Sequence, residues 1–266
     1  IHFLSTPFDF ESLALLVETL DVTFLKISSG DITNGPFLMK AARTGKSIIL
    51  STGMSTLGEI ETALAVLAFG YTRCDGNITL KNIQEAFRTG ESRQVLKEKV
   101  MLLQCTSEYP APFEEVNLRV LKTLRLAFNL RVGLSDHTPG TAVAVAAVAL
   151  GARIIEKHFT LDRNLAGPDH RASLEPAELS GMIQSIRQVE TALGHSMKAP
   201  TRSESKNRAA ARKSIVASEA IRKGDLFSVE NLAMKRPGTG LSPMEYWQLL
   251  GKKADRDYAE DESVQP

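Results

Sequence analysis

Six short apolar runs punctuate this chain: Phe3 to Ser5, Val22 to Ile27, Ser47 to Leu50, Val100 to Cys105, Val132 to Ser135 and Ile154 to His158. Each is of strand length, and the stretches between them repeat their apolar residues every three to four positions, the helical period. Strands buried on both faces read as unbroken apolar runs, and strand and helix in alternation build a parallel sheet covered by helices. In such folds ligands bind at the carboxyl ends of the strands. The residues that close each run are therefore the first place to look for chemistry.

The helical stretches carry their own punctuation. Thr56-Leu57-Gly58-Glu59 reads as a capping box ahead of Ile60, Ala63 and Leu67, and Asn117 stands where it would cap a helix bearing Leu118, Leu121, Leu124 and Phe128. Pro176 opens a further helix through Leu179, Met182, Ile183, Ile186, Val189 and Leu193, with Gly194 as its stop. Tyr71 to Lys99 is polar and helical in pattern and reads as an excursion from the alternation, without assigned chemistry. After Gly194 the pattern changes. A charged linker over 195–212 leads to short segments with Gly and Pro turns over 213–266, too few residues for a large core of their own.

Composition excludes several classes. A chain of 266 residues that is 43% apolar can bury one large core and a satellite domain, and a formal charge of +1 offers no footprint for nucleic acid or an anionic membrane. The most apolar stretch, Thr141 to Leu150, is about half the ~20 residues a membrane helix needs. Two cysteines, Cys74 and Cys105, are too few for a disulfide framework and fit a reducing cytoplasm. The chain opens at Ile1 without Met or a signal-peptide pattern and so reads as cut rather than processed.

At the strand ends, His137 and His158 each follow an apolar run, one βα unit apart, which brings two imidazoles to adjacent strand ends. Two such ligands suit an open metal site that leaves room for substrate; hydrogen-bonded structural histidines are the alternative. Asp136 and Glu156 are alternative ligands or orienting groups, or partners of neighbouring Lys and Arg. Thr6, Ser29, Ser51 and Ser107 sit with Gly and with Lys26 at the strand-to-helix turns, a set that suits a phosphate or carboxylate, although helix capping alone also favours such hydroxyls. The Gly167 to His170 loop brings Asp169 and a third imidazole to the same rim.

The ordered motifs FLSTPFD (3–9), LSTGM (50–54), GLSDHT (133–138), IEKHFTLD (155–162), GPDH (167–170) and SLEP (173–176) together resemble the sialic acid synthase family. RKSIVA (212–217) and KRPGTG (235–240) resemble the antifreeze-like (SAF) domain those enzymes carry. The resemblance implies an α/β fold, a (β/α)8 TIM barrel over 1–194 that here lacks about its first two βα units, with a small antifreeze-like domain over 213–266. The lack would leave open sheet edges and an incomplete site. The activity implied is the condensation of phosphoenolpyruvate with open-chain N-acetylmannosamine and water to N-acetylneuraminate and phosphate. A legionaminate or pseudaminate synthase, or a non-catalytic carbohydrate-binding protein, is the alternative.

Carried onto this chain, the resemblance makes His137 and His158 the ligands of a divalent metal, manganese first and magnesium or cobalt next. It gives Asp169 a catalytic role beside them. Lys26, Ser29, Ser51, Ser135, Thr6 and Ser107 would hold phosphoenolpyruvate, and Asp31, Tyr109 and Asp169 would contact the sugar. Arg236 would reach the sugar in a partner subunit's barrel, which implies a domain-swapped homodimer.

Overall fold

The computed structural model describes residues 2–73 and 77–265; Cys74 lies outside them. The chain divides into two units, Ile1–Gly194 and His195–Pro266.

The first unit holds five parallel strands, β1 (Phe24–Ile27), β2 (Ser47–Ser51), β3 (Val100–Cys105), β4 (Arg131–Asp136) and β5 (Ile155–Lys157), whose spatial order follows chain order. An order that never reverses is that of a barrel wall, whereas a doubly wound sheet turns back at a switch point. Beyond β5 the sheet adds one rung, where the Leu174 amide donates to the His158 carbonyl and the Thr160 amide to the Leu174 carbonyl, both at 2.9 Å. Five strands and a rung form half a barrel, one strand short of the six apolar runs read from the sequence. The first apolar run, Phe3 to Ser5, is not a strand: it pairs with no strand among the described residues, and Phe3 and Leu4 stand 66% and 42% exposed. Three residues without a buried face offer too few ladder bonds to offset the entropy of ordering them.

The helices are α1 (Phe10–Ala14), α2 (Gly35–Arg43), α3 (Leu57–Thr72), α4 (Leu80–Phe87), α5 (Gly90–Lys99), α6 (Val120–Phe128), α7 (Ala142–Ala149) and α8 (Pro176–Leu193). Leu25, Ile27, Ile48, Leu50, Leu102, Val132 and Leu134 face them and close a core with Phe37, Leu38, Leu64, Leu67, Leu121 and Leu124. Each buried Leu or Ile contributes about 1.5–3 kcal/mol. On the opposite face Ile49, Met101 and Leu103 cluster with Ile154, flooring the sheet below the strand ends.

Local signals place most of these elements. The Thr56–Glu59 capping box forms with both reciprocal bonds, and Pro176 and Gly194 (φ 50°) bound α8. Asn117 does not cap α6. It sits at φ 50° and its side-chain amide donates to the Glu115 carbonyl, so α6 starts two residues later, after Arg119. The 71–99 stretch includes α4, whose Ile83 and Ala86 pack on Met39, Ala65 and Phe69, and α5, which runs into β3 and lies against β2 and β3. Half of that excursion is thus part of the helical layer.

In the second unit the stretch read as a linker contains α9 (Arg202–Ala211), with no buried residue. A Thr201–Glu204 capping box and strong helix formers hold it, so it lacks the apolar stripe that sequence reading relies on. An antiparallel pair, β6 (Ser214–Ala217) and β7 (Leu232–Lys235), and a short α10 (Tyr246–Leu249) follow. Ile215, Ile221, Phe227, Leu232, Leu241, Leu249, Tyr258 and Val264 form a separate core. Among the described residues no helix is long and apolar enough to cross a membrane.

Gly133 on β4 lies so close to the neighbouring chain that a Cβ there would stand 2.4 Å from the Ile154 carbonyl oxygen and 2.7 Å from Leu103 Cδ2. Gly133→Ala should therefore push β4 and β5 apart and cost about 1–3 kcal/mol in denaturant unfolding. Unchanged stability would mean that the two strands do not meet there.

Candidate active site

The strand C-terminal ends and the turns after them enclose a cavity of about 510 Å³. Side chains alternate along a strand, so one face presents Lys26 from β1, Ser51 from β2, Cys105 from β3, Ser135 from β4 and Glu156 from β5, with Thr6, Ser29, Ser107, Tyr109, His137 and His158 from the turns. Of the first-unit residues singled out in the sequence, Asp31, Asp136, Asp169 and His170 do not line it. Asp31 accepts a hydrogen bond from the Asn34 amide, and Asp169 stands at the margin with Oδ2 3.8 Å from His158 Nδ1. Arg236 is exposed in the second unit, just past β7.

One side of the cavity is a basin of donors. The Lys26 ammonium is buried, with the Glu156 carboxylate 3.4 Å away, and retains donor capacity for an anion. Ser51 is 3% exposed and its hydroxyl has no hydrogen-bond partner. A buried hydroxyl without a partner among the described residues costs free energy until something fills its bonding capacity; Ser92 on α5 is a second such hydroxyl, and Ser51 differs from it in facing the cavity. Ser29 Oγ accepts the Gly53 amide at 2.9 Å and lies 3.1 Å from Cys105 Sγ. A Cβ on Gly53 would fall within 2.9 Å of Ser107, Cys105 and Ser29 together, so only glycine lets these side chains converge.

The other side is aromatic. The rings of His137 and His158 are 5.4 Å apart at 78°, and the Tyr109 ring lies 4.2 Å from the first and 5.4 Å from the second. His137 Nδ1 is 2.6 Å from the Thr106 carbonyl oxygen, which can only accept, so the single proton of the neutral ring belongs on Nδ1. Ser135 Oγ, 3.2 Å from Nε2, gives its one proton to Glu156 instead. The Nε2 lone pair thus faces the cavity without a donor among the described residues. Burial lowers the His137 pKa, outweighing the Thr106 bond, with the His158 ring acting in the same downward sense, so the ring stays neutral. Burial also raises the Tyr109 phenol, with Cys105, Asp169 and Glu156 acting the same way, which keeps it a hydrogen-bond donor. Among the described residues no three His, Cys, Asp or Glu side chains form a cage by themselves, so a metal held by the imidazole pair would have open positions.

Comparison with known proteins places the chain in a family. Residues 1–198 match the NeuB family and residues 212–266 the SAF domain. The chain belongs to the NeuB family. It is 51% identical to an N,N'-diacetyllegionaminic acid synthase of Campylobacter jejuni, over 99% of this chain and 72% of that protein. It is 34% identical to the human N-acetylneuraminate-9-phosphate synthase, over 99% of this chain and 67% of that one. Among solved structures, an N-acetylneuraminic acid synthetase of Leptospira borgpetersenii in complex with citrate aligns with TM-score 0.63 and 35% identity, over 78% of this chain and 63% of that one.

Within this NeuB chain, sequence reasoning underrated two cavity residues. Glu156 and Cys105 each lie two positions before a residue already singled out, His158 and Ser107, and a period of two on a strand puts such pairs on one face.

The direction of the His137 shift fixes a pH dependence. A histidine whose folded pKa is depressed binds fewer protons than the unfolded chain, so stability falls as pH drops from about 6.5 towards the folded midpoint. An NMR titration should place the His137 midpoint below about 6.5; one above it would contradict the burial of this ring.

Proposed function

We propose that this chain carries a sialic-acid-type synthase activity, joining phosphoenolpyruvate to an acetamido sugar aldehyde with water and releasing phosphate. The observation that carries the reading is Ser51: a buried, unpartnered hydroxyl facing the same cavity as a buried ammonium and an imidazole pair with a free lone pair. Lys26, Ser29, Ser51, Ser107, Ser135 and Thr6 bind the phosphate and carboxylate of phosphoenolpyruvate. Tyr109 donates to the sugar, and Asp169, with its carboxylate beside His158, orients it at the cavity mouth. Asp31 takes a lesser part, since Asn34 holds its carboxylate outside the lining.

His137 and His158 hold a divalent cation, manganese first and magnesium or cobalt next, with water and substrate oxygens completing a mixed nitrogen and oxygen shell. When bound, the cation supplies Lewis-acid polarisation of the sugar aldehyde. The chain's residues align the enol carbon of phosphoenolpyruvate with that aldehyde. The new carbon–carbon bond leaves a cationic centre at the former enol carbon, water adds there, and the tetrahedral adduct expels phosphate into the Lys26 and serine basin.

For the sugar, similarity favours a diacetamido substrate: the relatives at 51% and 42% identity are N,N'-diacetyllegionaminic acid synthases, against 34% for the human N-acetylneuraminate-9-phosphate synthase. N-acetylmannosamine is the second candidate. Arg236, exposed beyond β7, contacts the sugar from a partner subunit in a domain-swapped homodimer. A cytoplasmic setting accords with the free Cys105 thiol in the cavity.

Manganese-dependent phosphate release from phosphoenolpyruvate, with each sugar in turn and mass detection of product, tests the reading. It is run on this chain and on one carrying the further length its relatives have. No release with any sugar from folded, metal-loaded protein would sink the proposal. Ser51→Ala should leave stability within about 1 kcal/mol of the parent, since it deletes an orphan, yet raise the phosphoenolpyruvate KM about tenfold or more. Arg236→Ala should raise the sugar KM by a similar factor without altering the fold; an unchanged KM removes it from the site.

A further inference from the structure

The helix-facing side of the sheet carries a second charged cluster directly behind the imidazoles. Asp136 on β4 and Lys157 on β5 are register partners whose side chains are 0% and 4% exposed, with Lys157 Nζ 2.9 Å from Asp136 Oδ2. Lys157 Nζ also donates to the Thr138 carbonyl, while Asp136 Oδ1 accepts the Thr138 amide at 2.9 Å and its hydroxyl at 2.7 Å. None of these groups reaches the cavity. Their place in the chain gives them a role all the same: Asp136 and Thr138 flank His137, and Lys157 immediately precedes His158.

We infer that Asp136, Thr138 and Lys157 form a positioning clamp that sets the relative orientation of His137 and His158 from behind the sheet. Alternation puts Asp136 and Lys157 on the face opposite their histidine neighbours, so the clamp can fix the imidazoles without touching anything they bind. On the β4 side it immobilises the peptide units before and after His137, and the Ala111 amide holds the His137 carbonyl at 3.0 Å. On the β5 side a single ammonium ties the residue before His158 to the same turn. β5 is three residues long, and on its other edge the Leu174 amide holds the His158 carbonyl, so the ammonium supplies the tie towards β4. A buried ion pair seldom adds stability over an apolar pair of equal volume, so its worth here is geometric.

The inference rests on the proposed synthase only for its kinetic arm; its structural arm needs neither metal nor substrate. The chain has five histidines, so their ring protons can be resolved by NMR, and those of His137 and His158 are displaced by the ring currents of Tyr109 and of each other. Lys157→Met leaves a buried carboxylate uncompensated and risks unfolding. The double variant Asp136→Leu with Lys157→Met removes both charges at similar volume, and Thr138→Val touches the β4 side alone.

In the folded double variant both the His137 and His158 resonances should move while His170 and His195 stay, and in Thr138→Val the larger shift should fall on His137. Manganese affinity by electron paramagnetic resonance, and kcat where turnover exists, should fall about 10- to 100-fold in the double variant with the phosphoenolpyruvate KM within about twofold of the parent. Folded variants whose His137 and His158 resonances coincide with the parent's would overturn the clamp. Displaced resonances in a protein whose parent shows no phosphate release would leave the clamp standing and remove the synthase reading instead.

Discussion

Everything in the cavity depends on how closely β4 and β5 approach. Their register sets Ser135 opposite Glu156 and Asp136 opposite Lys157, and Gly133 permits it by presenting no side chain to the Ile154 carbonyl. From that pairing alternation does the rest. The inner positions, Ser135 and Glu156, share a proton at the cavity floor, and the outer ones close an ion pair in the helical layer. A slip of one residue would exchange the two faces and bury the imidazoles against the helices.

The cavity is divided chemically because the strands are. Near their ends β1, β2 and β3 present Lys26, Ser51 and Cys105, with small hydroxyls in the turns beyond them, a region of donors and little bulk. β4 and β5 end in imidazoles against Tyr109, a region of lone pairs and ring faces. That division suits the proposed reaction, which would set an acid phosphate in the first region and a carbonyl-polarising cation in the second. Lys26 and Glu156 pair across this divide and keep the net charge between the halves small.

Much of this was legible in the chain. Parallel strands are buried on both faces, so β1 to β5 show up as apolar runs, and local capping signals such as Thr56 with Glu59 or Pro176 with Gly194 are written in a few adjacent residues. What escaped depends on partners distant in sequence or on no partner at all. Phe3 to Ser5 has the composition of a strand and lacks a neighbour to ladder with. Asn117 has a capping side chain spent on Glu115. α9 has helix formers without a buried stripe. Whether Asp136 would be a ligand or an ion-pair partner could not be read from its residue type; the parity of its strand position decides it.

The convergence of Ser29, Cys105 and Ser107 on Gly53 binds four positions from three separate βα units into one unit of variation. A methyl group at residue 53 would have to be matched by the loss or retreat of at least one of the three side chains around it. Drift at this corner of the cavity is therefore correlated: homologues should differ there by coordinated exchanges among the four positions, with solitary replacements of the glycine purged.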